Sequence, residues 1–154
     1  VGFLLFVFLD YLRRFPMDVS AQDERSLLLI EESSAILDSL RDWLRMTLPN
    51  VRVIEATDHG NGVSLNRSES PDVVLVDISG LGREGLESVR TMKRAQPAAQ
   101  VFALVGHDHE SYHEAVVSAG AEACACIWRL RTDLLPRLRN AFKSTAEMDR
   151  MSTR

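Results

Sequence analysis

The sequence predicts an α/β fold, a single five-stranded parallel sheet of alternating strand and helix units. Short apolar runs alternate with longer amphipathic stretches, in five repeats of strand then helix, from Leu27 to Phe142. Within runs such as Val73-Val74-Leu75-Val76, every position is apolar rather than every second one. That pattern belongs to strands covered on both faces. The length of 154 residues fits one ordinary domain, long enough to bury a core without metal or disulfide support.

Leu27 to Ile30 is the first strand, followed by a helix from Ser34 to Leu48 with Ile36, Leu37, Leu40, Trp43 and Leu44 at helical spacing and Pro49 ending it. Val51 to Ala56 is the second strand, and a short helix weakened by glycine runs through Val63 and Leu65. Pro71 introduces the third strand, Val73 to Val76, before a helix from Glu84 to Arg94 carrying Leu86, Val89 and Met92. Strand Val101–Leu104, helix Glu110–Ala119, strand Ala123–Ile127 and helix Thr132–Phe142 complete the series. Pro136 falls in the first turn of the last helix, where a missing N–H does least harm. Residues 26–142 therefore form the domain, and the polar segment 143–154 is expected to fray.

Right-handed crossovers bring the residues that follow each strand to one edge of such a sheet. Glu31 and Glu32 follow the first strand, and Asp77 ends the third. Three carboxylates at one rim repel one another unless a cation sits among them. Oxygen-only ligation suits Mg²⁺, which also holds phosphate oxygens, and a carboxylate beside it is a nucleophile towards a phosphoryl group. Any one of these acids alone would be a solvated strand end; the set of three points to chemistry.

In order and spacing the chain resembles a response-regulator receiver domain, a flavodoxin-like fold, from Ser26 to Phe142. Leu28-Leu29-Ile30-Glu31-Glu32-Ser33 resembles that family's apolar strand and acidic pair, with Glu in place of Asp. Ser70-Pro71-Asp72-Val73-Val74-Leu75-Val76-Asp77 resembles the segment ending in the phosphorylated aspartate, and Gly85 falls at the glycine of the next helix. Ala103-Leu104-Val105-Gly106-His107-Asp108 and Ala119-Gly120-Ala121 match the fourth strand with its loop and the turn before the fifth strand. The resemblance implies that Asp77 accepts a phosphoryl group from a histidine kinase or phosphotransfer protein. It also implies that Glu32, Asp77 and the backbone carbonyl of Ser79 hold Mg²⁺, with Glu31 assisting.

The departures fall on the family's relay. Its switch Ser or Thr corresponds to Val105, which has no hydroxyl to follow the phosphoryl group. Its Lys corresponds to Ile127, unless two inserted residues bring Arg129 there as a possible phosphate contact. Cys124 replaces the aromatic of strand five, and Leu81 the proline after the acceptor loop. Acceptor chemistry is expected to survive while transmission is impaired. The second reading is a pseudo-receiver, a docking module that works without phosphate.

Other signals are weaker. Gly80-Leu81-Gly82-Arg83-Glu84-Gly85 spells a dinucleotide fingerprint, but it follows the third strand, and Asp77 would crowd a pyrophosphate. His109 and His113 share a helix face at a zinc-chelating spacing, with no Cys or further ligand tied to them. Arg129, Arg131, Arg137, Arg139 and Lys143 read as a solvated face. The net charge of -4 argues against a nucleic-acid partner. Cys124 and Cys126 read as reduced core thiols, which places the protein in the cytoplasm, and no attached catalytic domain makes it an enzyme.

Val1 to Leu9 is apolar but far shorter than the roughly 20 residues of a membrane span. Residues 1–16 read as an extension ahead of a natural start at Met17. A chain beginning at Met17 is expected to melt at the same temperature as the full chain in a calorimetric scan. A marked drop would show that the apolar segment packs on the domain.

Overall fold

The computed structural model describes residues 24–107 and 109–152, so the predicted extension 1–16 lies outside the described residues. The strands are β1 (Ser26–Ile30), β2 (Arg52–Ala56), β3 (Val73–Asp77), β4 (Gln100–Val105) and β5 (Ala123–Cys126). The helices between and after them are α1 (Ser34–Thr47), α2 (His59–Glu69), α3 (Arg83–Ala95), α4 (Glu110–Ser118) and α5 (Leu135–Ser152). All strand pairs are parallel, in the order β2-β1-β3-β4-β5. No described helix is long and apolar enough to cross a membrane.

Alternation along each strand sorts the side chains into two cores. Leu27, Leu29, Val73, Leu75, Phe102 and Leu104 meet Leu37, Leu40 and Leu44 of α1 and Leu135 and Leu138 of α5. Leu28, Ile30, Val74, Val76, Val101 and Ala103 face the other way, against Val89 and Met92 of α3 and Val116 of α4. Each such fully buried side chain contributes about 1.5–3 kcal/mol relative to exposure. The glycines that weaken α2 also let it approach: a Cβ on Gly62 would stand 2.6 Å from Ile30 Cδ1. Its start is held by Asp58, whose side chain accepts from the Asn61 N–H at 2.7 Å.

Two expectations are corrected at the C-terminal side. Strand β5 stops at Cys126, and the chain enters a 3₁₀ turn, Ile127–Arg129, and a π turn, Leu130–Leu134, before α5 begins at Leu135. Residues 143–152 do not fray: α5 continues unbroken to Ser152. A polar surface was read as a loose tail, but helix formers such as Ala146, Glu147 and Met148 need no buried face to extend a nucleated helix. A tether also holds them. Arg25 bonds Asp149 at 2.8 Å and Asp72 at 3.2 Å, tying the end of α5 to the entry of β1 and β3.

Because Asp149 is half exposed, its ion pair is worth at most about 1 kcal/mol. Asp149→Ala should therefore leave the global melting midpoint almost unchanged, while amide exchange quickens in the last two turns of α5. Unchanged protection there would show that the helix holds without the tether.

Candidate functional site

The site forms where the apolar runs of β1 and β3 give out at the same edge of the sheet. Ile30 pairs with Val76, so the next residues, Glu31 and Asp77, sit side by side. Glu31 is only 5% exposed. Its Oε1 accepts the Ser33 N–H at 2.7 Å, while Oε2 is buried without a hydrogen-bond partner. Asp77 is half-buried, and its Oδ1 accepts the Ser79 N–H at 2.7 Å. That bond fixes the carboxylate plane and leaves Oδ2 as the less engaged oxygen.

Two facing carboxylates hold no hydrogen bond between them until one carries a proton. Burial first, then the neighbouring Asp77 carboxyl, pushes Glu31 up to about 7; the Ser33 amide pulls the other way. An orphaned buried oxygen aimed at a second carboxylate leaves a place for a proton or a hard cation. The all-oxygen donor set fits Mg²⁺.

Glu32 lies at the same edge, and its charge adds to the push on Glu31. Consecutive residues of an extended segment point apart. Glu32 is exposed and lines a separate cleft of about 430 Å³ with His59, Leu81, Glu84 and Ser88, where His59 Nδ1 contacts Ser88 Oγ. Among the described residues, no three His, Cys, Asp or Glu side chains are gathered to hold a metal. Glu31 and Asp77 are the two acids that the strand register sets side by side. The rings of His107 and His109 stand 6.5 Å apart and tilted.

Val105 is 3% exposed and pairs with Cys126 across β4 and β5. Ile127 lines a largely apolar cleft of about 620 Å³ with Asp77, Ser79, Gly106, Ile36, Trp43, Trp128 and Leu130. Arg129 is not among those lining residues; it is half exposed and ion-paired to Asp133 at 3.0 Å. Ile127 therefore shares the cleft with Asp77, and Arg129 does not line it.

Sequence reading missed three features. Trp128 is 82% exposed at the rim of this cleft, although its place beside Ile127 suggested a strand end. Trp43, read as core, is partly buried and lines the same cleft. Tyr112, within the helix expected over Glu110–Ala119, donates its hydroxyl to the Gly82 carbonyl at 2.8 Å. A lone aromatic after three polar residues carries little signal.

The response regulator receiver domain profile matches residues 27–125. A cyclic di-GMP phosphodiesterase of Thermotoga maritima is 30% identical over 97 residues, covering 63% of this chain and 25% of that protein. The transcriptional regulatory protein DegU of Brevibacillus brevis is 28% identical over 100 residues, covering 65% and 42%. The chain thus spans less than half the length of either relative. The signal receiver domain of a DNA-binding response regulator from Colwellia psychrerythraea matches in fold, with a TM-score of 0.69 at 24% identity over 77% of this chain and 98% of that one.

The Glu31 position makes stability depend on pH. A buried acid whose value rises from 4.5 to about 7 favours its neutral form in the folded state. Its stabilising contribution is full below about 4.5 and is lost as pH climbs through about 7. In metal-free buffer, wild type should lose thermal stability between pH 5 and pH 8 relative to Glu31→Gln, which cannot ionise. Parallel profiles for the two proteins would refute the burial argument.

Proposed function

We propose, for a chain that belongs to the response regulator receiver family, that Asp77 accepts a phosphoryl group in phosphorelay signal transduction. The observation that carries this reading is the pairing of Asp77 with the buried, half-orphaned Glu31 at the mouth of an open cleft.

In the proposed reaction Asp77 Oδ2 attacks the phosphorus of a phosphohistidine. The phosphorus–nitrogen bond breaks, the electron pair leaves with the imidazole, and an acyl phosphate forms on Asp77. The Ser79 N–H engages Oδ1, which leaves Oδ2 as the proposed attacking oxygen. Glu31 and Asp77 would hold Mg²⁺, with Ser79 and the exposed Glu32 as further oxygen donors. Such an ion supplies positive charge that lets the carboxylates and the incoming phosphoryl oxygens share one site. With Ile127 in place of a cationic side chain, the donor protein or the metal must supply the remaining charge balance.

The apolar rim supports a protein donor, a histidine kinase or phosphotransfer protein. Ile36, Trp43, Trp128 and Leu130 surround Asp77, and large exposed aromatics are the side chains that anchor protein interfaces. The activity in the name of the Thermotoga relative belongs to a protein of which this chain spans a quarter, and it is not carried over.

Small-molecule phosphodonors should label wild type only with Mg²⁺, and Asp77→Asn should not be labelled. Mg²⁺ affinity should fall further in Glu31→Gln than in Glu32→Gln. Trp128→Ala should slow transfer from a protein donor about tenfold or more while leaving small-donor labelling intact. Labelling that persists in Asp77→Asn would overturn the assignment. No labelling of wild type at all would leave a docking module that works without phosphate.

A further inference from the structure

We propose that Tyr112 is a positioning residue whose hydroxyl latches the loop after Asp77 to α4, providing the coupling that Val105 cannot. The proposal rests on the phosphoacceptor reading of Asp77 and adds a route out of that site.

The loop between Asp77 and α3 is anchored by Ile78, fully buried, and by Leu81, packed on the core, while its two glycines add no contact of their own. Gly80 has φ +74° and Gly82 φ +51°, and neither has an atom within 4 Å of where a Cβ would stand. Glycine makes those left-handed conformations accessible and leaves positions 80 and 82 without side-chain anchors. Gly82 also caps α3 without a side-chain hydrogen bond. Its carbonyl does receive one long-range bond, from the Tyr112 hydroxyl in the first turn of α4, 30 residues away.

A second position is shaped for this contact. A Cβ on Gly85 would lie 2.9 Å from the Tyr112 oxygen and 2.9 Å from Ile78 Cβ. Only a residue without a side chain lets α3, the acceptor loop and the phenol meet. The ring packs against the core cluster that holds Val105 and Cys124, and it lines a cleft of about 290 Å³ with Ser79, Val105 and Gly106. Burial, then the Cys124 thiol, raises the phenol above its ordinary value, which keeps it a donor at neutral pH. An aromatic with a hydroxyl thus reaches the cleft beside Ser79 from α4, where β4 presents Val105.

A group bound at Asp77 that shifts Ser79 and Gly80 moves the Gly82 carbonyl, and the phenol passes that displacement to α4. Coupling requires such a contact to differ between the bound and free states. Breaking it separates binding at Asp77 from the response of α4.

The test compares wild type, Tyr112→Phe and Gly85→Ala by amide hydrogen exchange, with and without Mg²⁺ and beryllofluoride. Without ligand, both variants should exchange about fivefold faster in residues 80–86, as loss of one hydrogen bond implies. With beryllofluoride, wild type should respond in residues 110–118. Tyr112→Phe should bind the ligand about as tightly and lose that response, and the double variant should add little to either single change. A full α4 response in Tyr112→Phe overturns the latch while leaving Asp77 as acceptor. If wild type binds no beryllofluoride, the acceptor reading fails, and equal ligand-free exchange in residues 80–86 would remove the latch as well.

Discussion

The register between β1 and β3 is the constraint on which the site depends. A one-residue slip in a parallel pair would turn every side chain of one strand to the opposite core. Leu27, Leu29, Val73 and Leu75 fill one core and Leu28, Ile30, Val74 and Val76 the other, so the pairing of Ile30 with Val76 is held by burial on both faces. Both apolar runs then end at the same height, and the next residue in each is an acid. The hydrophobic cores thereby force two carboxylates together that would separate in water. Electrostatic strain at Glu31 is a consequence of packing elsewhere in the sheet.

That strain supports the proposal that the pair is functional ground rather than a strand end that happens to be polar. Glu31 is buried with one oxygen lacking a donor, and its neighbour is another acid. Among the described residues lining the adjoining cleft there is no Lys or Arg. Protons, a hard cation or the cationic side chains of a docked partner can relieve the repulsion, and each makes the site responsive to what occupies it. Arg129, held half exposed by Asp133, is engaged in its own turn instead.

Much of this was legible in the sequence because it rests on short-range patterns. Continuous apolar runs gave the strands, Pro49 and Pro71 bounded elements, and the acids stood at run ends. What escaped depends on direction and on distant partners. Glu31 and Glu32 are equivalent in composition, and only the extended backbone decides which one faces Asp77. The continuation of α5 is tied to Arg25, an interaction spanning 124 residues. Tyr112 lay in a polar stretch whose single aromatic becomes informative only once Gly82 and Gly85 are seen opposite it.

The same comparison changes how the missing hydroxyl at position 105 should be understood. Loss of a hydrogen bond to a charged group is worth about 1.5–3 kcal/mol, which is the scale of a typical allosteric coupling. Judged on that bond alone, Val105 would leave an acceptor without a relay. The acceptor machinery, however, sits on β1, β3 and the Ser79 amide, none of which involves Val105. The connection to α4 can therefore be rebuilt elsewhere without disturbing the chemistry, and Tyr112 stands where a replacement is sterically feasible. Gly85 supports this point, because a glycine that admits the phenol oxygen at 2.9 Å limits what else that helix start can become. Chemistry and relay would be separable in this fold because the acids stand at the ends of paired strands, while the loop proposed to report on them turns on Gly80 and Gly82.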